Sequence, residues 1–241
     1  WWASACSSYA VFEPLPPLLM TIPTRHTAIP DLLRFGRQVA REALLRCASD
    51  PALPCLAAVD GTCGNGHDTL FLAQTLAEIG GKPHGVFSFD VQPAAIEVAR
   101  ARLGALADGV TLLLASHARL AEELARPENC PASLAGGGTT LPPPIAAAMY
   151  NLGFLPGSNR RVVTTAGDTL VSLQSTAALL APRGVLLVHA YSGHPGGREE
   201  LEAVDAWHAA LPFEQWTAAR YALRNKTRNP EALFLAEKRE A

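Results

Sequence analysis

Apolar positions along this chain switch repeatedly between helical spacing and short unbroken runs. Leu32, Leu33, Phe35, Val39, Ala40 and Leu44 recur at helical spacing behind Asp31, which is placed as an N-cap. A short apolar run, Leu56 to Val59, ends in Asp60 and a Gly-rich segment, the pattern of a buried parallel strand feeding a turn. Thr69 to Ile79 is amphipathic and stops at Gly80-Gly81. The strand from His84 to Phe89 ends in Asp90, and Pro93 opens a helix running to about Leu106. Val110 to Ala115 reads as a strand and His117 to Arg126 as a helix.

Residues 127–144 carry five Pro and three consecutive Gly, which predicts an inserted surface loop without regular structure. Beyond it come a strand from Ile145 to Tyr150, a helix from Thr169 to Leu180, and a turn at Pro182-Arg183-Gly184. A strand from Val185 to Ala190, a helix from Glu199 to Ala210, and two last strands, Glu214 to Leu223 and Ala232 to Glu237, complete the pattern. Alternating β-α units imply an α/β fold, a mostly parallel seven-stranded sheet with helices on both faces and a closing antiparallel hairpin.

Composition adds bounds. The 241 residues are 49% hydrophobic, enough for one α/β domain, expected over residues 30–241. Residues 1–29 read as an N-terminal extension, poorly ordered or, before Met20, non-native, because residues 1–19 lack an initiator Met and a basic or clean apolar targeting segment. Five Cys without a CxxC pair suit neither a zinc knuckle nor a disulfide framework. Reduced thiols, a cytoplasmic protein and no metal are therefore expected. No apolar run is long enough for a membrane span. The net charge of −2 leaves any polyanion to be met by a local patch.

The chemistry gathers at strand ends. In an open α/β sheet, ligands bind beyond the carboxyl ends of the strands. Gly64 and Gly66 let the loop turn tightly against a ligand, and Asp90 is placed to accept both hydroxyls of a ribose. A dinucleotide fingerprint wants a third Gly where Thr69 stands, which counts against a nicotinamide-dependent oxidoreductase. Asp60 supplies the acidic strand end that a positively charged amino-acid moiety would need.

The segment Asp60 to Thr69 resembles the D-A-T-x-G-N-G-H-D-T signature of the MnmM/YtqB-type methyltransferases, a family long labelled as rRNA methylases. Phe89-Asp90-Val91-Gln92, Ser116-His117, Asn151-Leu152-Gly153-Phe154-Leu155-Pro156-Gly157, Tyr191-Ser192-Gly193-His194-Pro195, and Asn225 with Asn229-Pro230 agree in order. Gly61 in place of Ala, Ser192 in place of His, and the insertion at 127–144 are departures. The resemblance implies a Rossmann-like class I methyltransferase fold that uses S-adenosyl-L-methionine. It also implies N-methylation of 5-aminomethyl-2-thiouridine at the tRNA wobble position.

On that resemblance Asn65, His67 and the loop glycines contact the cofactor, with Asp90 and Gln92 at the ribose and Ser116 and His117 at the adenine. Asn151 would aim the substrate amine, His194 would accept its proton, and Tyr191 would orient the substrate. Phe154, Arg160, Arg161 and Arg224 would contact the anticodon stem-loop, helped by Arg220, Lys226 and Arg228, in a small salt-sensitive footprint. His26, His84, His189 and His208 show no motif context. A homodimer is among the assemblies the resemblance admits. An rRNA or small-molecule methyltransferase and a non-catalytic nucleotide-binding module are the rival readings.

Overall fold

The computed structural model describes residues 29–135, 140–154 and 162–240. The chain divides into Trp1–Pro30 and the unit Asp31–Ala241, and the account that follows is of the second. Seven strands form one sheet: β1 (Leu56–Asp60), β2 (His84–Asp90), β3 (Val110–Leu114), β4 (Ile145–Asn151), β5 (Leu180–Tyr191), β6 (Trp216–Tyr221) and β7 (Glu231–Lys238). The helices are α1 (Leu32–Ala48), α2 (His67–Ile79), α3 (Pro93–Leu103), α4 (Leu120–Leu124), α5 (Ala132–Ala135), α6 (Ala166–Leu179) and α7 (Gly197–Ala209).

The strand order is β3-β2-β1-β4-β5-β7-β6. The first five strands run parallel to one another, and β7 runs antiparallel between β5 and β6. The expected α/β architecture and antiparallel ending are therefore present, with β7 inserted so that both its edges are paired. Chain order reverses between β1 and β4, which opens a crevice at the carboxyl ends of those strands.

Each central strand is buried on both faces, so its apolar residues divide by alternation. Ala57, Val59, Phe87 and Phe89 pack with Leu120, Leu124, Leu173 and Val204 on one side. Leu56, Ala58 and Val86 pack with Leu44, Leu72 and Leu76 on the other. Asp31 caps α1 as expected, its carboxylate accepting the Arg34 N–H at 2.8 Å. Gly80 receives α2, its N–H bonded to the Leu76 carbonyl. The Pro182–Gly184 turn is a bulge inside β5: its register against β4 slips there, and Arg183 takes φ 65°.

Two expectations are corrected. The segment Pro127–Pro144 is not wholly irregular: it holds a 3-10 turn (Pro127–Asn129) and α5. Leu134 on α5 is fully buried in the core, and Pro131 lies so close to Gly85 that a Cβ there would meet the ring at 2.8 Å. The helix expected over His117 to Arg126 divides into a 3-10 turn (His117–Arg119) and the short α4.

Gly61, where the resembling family carries Ala, faces the ring of Tyr150, and an added Cβ would overlap that ring. The ring is fixed: its hydroxyl lies 2.7 Å from both Ser172 Oγ and Thr176 Oγ1 on α6. Gly61→Ala is expected to cost about 1–3 kcal/mol, the range for overpacking. Tyr150→Ala should lower the further cost of adding that methyl, as urea-denaturation double-mutant cycles would show. A neutral Gly61→Ala would mean that the ring yields.

Candidate active site

The crevice at the β1/β4 reversal is a cavity walled by the β1–α2 loop, the ends of β2 and β3, and the segment after β4. The loop is held from beneath. Asp60, 1% exposed at the end of β1, accepts the Thr62 N–H at 3.1 Å on one oxygen and the Thr69 hydroxyl at 2.6 Å on the other. Ser88 on β2 reaches the same Thr69 oxygen at 2.8 Å. Burial, then the neighbouring Asp68 charge, pushes the Asp60 carboxyl well above the ordinary carboxylate range, while these hydrogen bonds pull against it.

The loop is also held from the side. Asp90 accepts the Gly64 N–H and the Gln92 N–H, each at 2.9 Å, one per oxygen. Asn65 gives its carbonyl to Arg102 Nε at 2.6 Å. Gly66, at φ +75°, packs so close to Ala99 on α3 that a Cβ would stand 2.8 Å from its backbone.

The cavity wall includes Gly64, Asn65, His67, Asp90, Gln92, Ser116, His117, Asn151 and Phe154 among the residues singled out from the sequence. Asp60 and Gly66 are not on it: Asp60 is spent on its own loop and Gly66 on α3. Asp60 is thus a support for the loop, and a meeting with a ligand's ammonium group, expected from the sequence, would come on top of that role. Ser116 caps the following 3-10 turn, its hydroxyl accepting the Ala118 N–H at 3.2 Å.

His117 is 8% exposed, its Nδ1 has no hydrogen-bond partner, and burial lowers its pKa to about 4. The imidazole is therefore neutral at pH 7, and its ring stands edge-on to Tyr150 at 5.8 Å. Asn151 ends β4 with its backbone N–H on Thr62 Oγ1 at 2.7 Å, so loop and strand tip are tied together.

Tyr191 and His194 lie behind this wall. Tyr191 receives the Phe154 N–H on its hydroxyl and fills the space beside Gly153. His194 is 9% exposed, its ring edge-on to Tyr191 at 5.0 Å and to Phe154 at 6.3 Å. Its Nδ1 lies 3.1 Å from the Pro195 carbonyl. Neither side chain is among the described residues lining the cavity. Both pack against the Asn151–Phe154 segment, and the roles expected for them, proton acceptor and substrate orienter, would be exercised from behind it.

Arg224 is exposed on the β6–β7 connection, away from the cavity wall. That connection lies at the same sheet edge, because β7 starts beside Tyr191. Arg160 and Arg161 lie outside the described residues.

Several participants are not among the site residues singled out from the sequence, although Asp68 lies inside the Asp60 to Thr69 signature. Asp68 and Asp168 join Asp90 on the wall, and Arg37 on α1 clamps Asp68 at 2.7–2.8 Å. Glu200 on α7, 1% exposed, accepts the hydroxyls of Thr164 and Thr169, each at 2.6 Å. Thr164 in turn accepts the Gly153 N–H at 2.9 Å, which braces the segment carrying Phe154. His189 lies 2.8 Å from the Asn151 side chain. Only the partner's position in space reveals these roles.

The model of the "Putative rRNA methylase" family matches residues 86–237, more than half of the chain. The chain belongs to that family. A curated member from Arabidopsis thaliana, the chloroplastic tRNA (mnm(5)s(2)U34)-methyltransferase, is 32% identical over 183 residues. That alignment covers 73% of this chain and spans only 61% of the plant protein. Among solved structures, the "putative rRNA-methylase" of Clostridium thermocellum superposes with TM-score 0.69 at 26% identity, covering 88% of this chain and all of that one. A Streptococcus mutans methyltransferase structure in complex with SAH superposes with TM-score 0.67 at 26% identity, covering 87% and 99%. The family fold and the class I methyltransferase resemblance read from the sequence agree.

The depressed His117 pKa makes a testable claim. Between about pH 4 and 6.5 the unfolded chain binds a proton at this residue that the folded chain refuses, so stability rises with pH across that window. Urea denaturation of wild type relative to His117→Gln should show a gain of at most about 1.4 kcal/mol per pH unit in that interval, and a plateau above it. A difference independent of pH would mean that the ring titrates as if exposed.

Proposed function

We propose that this protein is an S-adenosylmethionine-dependent RNA methyltransferase that methylates the amine of 5-aminomethyl-2-thiouridine at the tRNA wobble position, giving 5-methylaminomethyl-2-thiouridine. The observation that carries the reading is Asn151, an amide at the tip of β4 on the wall of an acid-lined cavity. The name of the Arabidopsis relative supports the substrate, and the family description supports RNA as its class.

The residues present fit the cofactor. Asp90 and Asp168 line the cavity with Asp68, whose charge Arg37 offsets from outside the wall, and no Lys or Arg stands among the described lining residues. That balance favours a cationic sulfonium and ammonium over a pyrophosphate, which separates this reading from a dinucleotide enzyme. Asp90, already fixed by two backbone N–H groups, keeps lone pairs for ribose hydroxyls. His117 offers a buried, unpartnered Nδ1 to an adenine edge. Gly64 leaves no Cβ between the loop backbone and a ligand.

S-adenosylmethionine supplies an electrophilic methyl group on sulfur. The protein's part is alignment and exclusion of water. The Asn151 carbonyl would accept an N–H of the amine and aim its lone pair. An aliphatic amine is mostly protonated at neutral pH, so the cavity must also let its proton leave. With His194 behind the wall, the lining carboxylates and the lining imidazole of His67 are the groups placed to take it.

Phe154 would meet a base. The exposed Arg224 and Arg228 on the β6–β7 connection would meet phosphates of the anticodon stem-loop. Buried thiols at Cys47 and Cys63 suit a reducing compartment such as the cytoplasm.

The test is transfer of labelled methyl to tRNA bearing aminomethyl-uridine. Asp90→Ala should weaken cofactor binding tenfold or more in calorimetry. Asn151→Ala should leave the cofactor bound and lower kcat about 100-fold. An unaltered kcat in Asn151→Ala would remove the amine from the tip of β4. Transfer to rRNA fragments instead of this tRNA would replace the substrate.

A further inference from the structure

Behind Asn151 runs a polar chain that the reading above leaves unused. His189 stands on β5 directly across from Asn151 in the parallel register, with its Nδ1 2.8 Å from Asn151 Oδ1. On the far side of the ring, the buried Nε2 has no hydrogen-bond partner and lies 3.4 Å from Glu231 Oε2, at the start of β7. The other Glu231 oxygen is ion-paired to Lys226 Nζ at 2.6 Å. The ring is 8% exposed and packs 5.9 Å from Tyr191. Burial pulls its pKa down, against the raising influence of Glu231.

A neutral imidazole carries one N–H and one lone pair, so the choice of nitrogen has consequences on both sides of the ring. With the proton on Nδ1, the ring donates to the Asn151 carbonyl, and a bare Nε2 faces a carboxylate. Two acceptors then oppose each other in a buried place, which is costly. With the proton on Nε2, the N–H faces the charge of Glu231 at 3.4 Å, an attraction that is stronger in a buried place than in water. The bare Nδ1 then needs a donor, and the Asn151 amide can give one. Its oxygen and nitrogen are nearly equal in size, so a half-turn exchanges them without steric cost.

The two orientations are not equivalent toward the cavity. A carbonyl turned inward leaves amide N–H groups facing the substrate, and these would occupy the amine lone pair that must attack. A carbonyl turned outward accepts a substrate N–H and leaves that lone pair free.

We infer that His189 is a positioning residue for Asn151: held as the Nε2–H tautomer by Glu231, it takes an amide N–H from Asn151 and turns the carbonyl into the cavity. The role assigned to the outward carbonyl rests on the proposed amine substrate; the tautomer does not.

The experiment uses the full chain labelled with nitrogen-15 histidine at pH 7.5, with the His189 signals assigned by their loss in His189→Gln. Two-bond proton–nitrogen spectra should show Nε2 protonated and Nδ1 bare. Glu231→Gln should move the ring toward the Nδ1–H form and lower kcat on aminomethyl-uridine tRNA about tenfold, with the dissociation constant of S-adenosylhomocysteine unchanged. A merely structural role would instead move the cofactor affinity. A predominantly Nδ1–H ring in the wild type, or a Glu231→Gln variant with unaltered tautomer and kcat, would overturn the inference. Because the tautomer is read without RNA, a failure of methyl transfer in the wild type would count against the substrate alone.

Discussion

A buried carboxylate at the end of the first strand governs the geometry of the whole crevice. Asp60 sits where water cannot reach it, so its oxygens must find partners within the fold, and they find the Thr62 N–H and the Thr69 hydroxyl. Those bonds fix both ends of the β1–α2 loop. Thr62 then passes the constraint on, because its hydroxyl accepts the Asn151 backbone N–H at the tip of β4. Asp90 closes the loop from the neighbouring strand. A shift at any one of these residues would be felt at the other walls of the cavity, since each hydrogen bond joins separate chain segments.

A second buried carboxylate does the same for the opposite wall. Glu200, in the first turn of α7, receives two threonine hydroxyls, and Thr164 carries the effect to Gly153 and the segment with Phe154. Tyr191 and His194 fill the space beneath that segment. The Tyr-Ser-Gly-His stretch, which from sequence suggests catalysis, thus also contributes packing, while the Ser192 hydroxyl is turned to the Pro230 carbonyl at 3.3 Å.

What the sequence reveals and what it hides follow from distance along the chain. Strand ends such as Asp90 and Asn151 are legible because a buried parallel strand is an unbroken apolar run, and the residue that ends it must lie at the sheet's carboxyl edge. Helix boundaries at Asp31 and Gly80 are legible because caps are local. His189 and Glu200 are hidden because their partners Asn151 and Thr164 stand 38 and 36 residues away. Leu134 is hidden for a different reason: a four-residue helix has no period, and its burial depends on Pro131 packing against Gly85. The position of β7 between β5 and β6 is a choice among sheet edges that no local pattern records.

The electrostatics of the crevice bear on how an RNA could enter it. A polyanion and a cavity walled by Asp68, Asp90 and Asp168 repel each other, which at first counts against nucleic acid. The objection dissolves when the backbone and the modified base are taken separately. Phosphates belong outside, where Arg224 and Arg228 stand exposed at the same sheet edge. An aminomethyl group is the one part of such a substrate that carries positive charge. On the proposed reading, the acidic wall draws that group inward while pushing the backbone out. The repulsion thus selects an orientation, and a base without the amine would lose the term that favours entry.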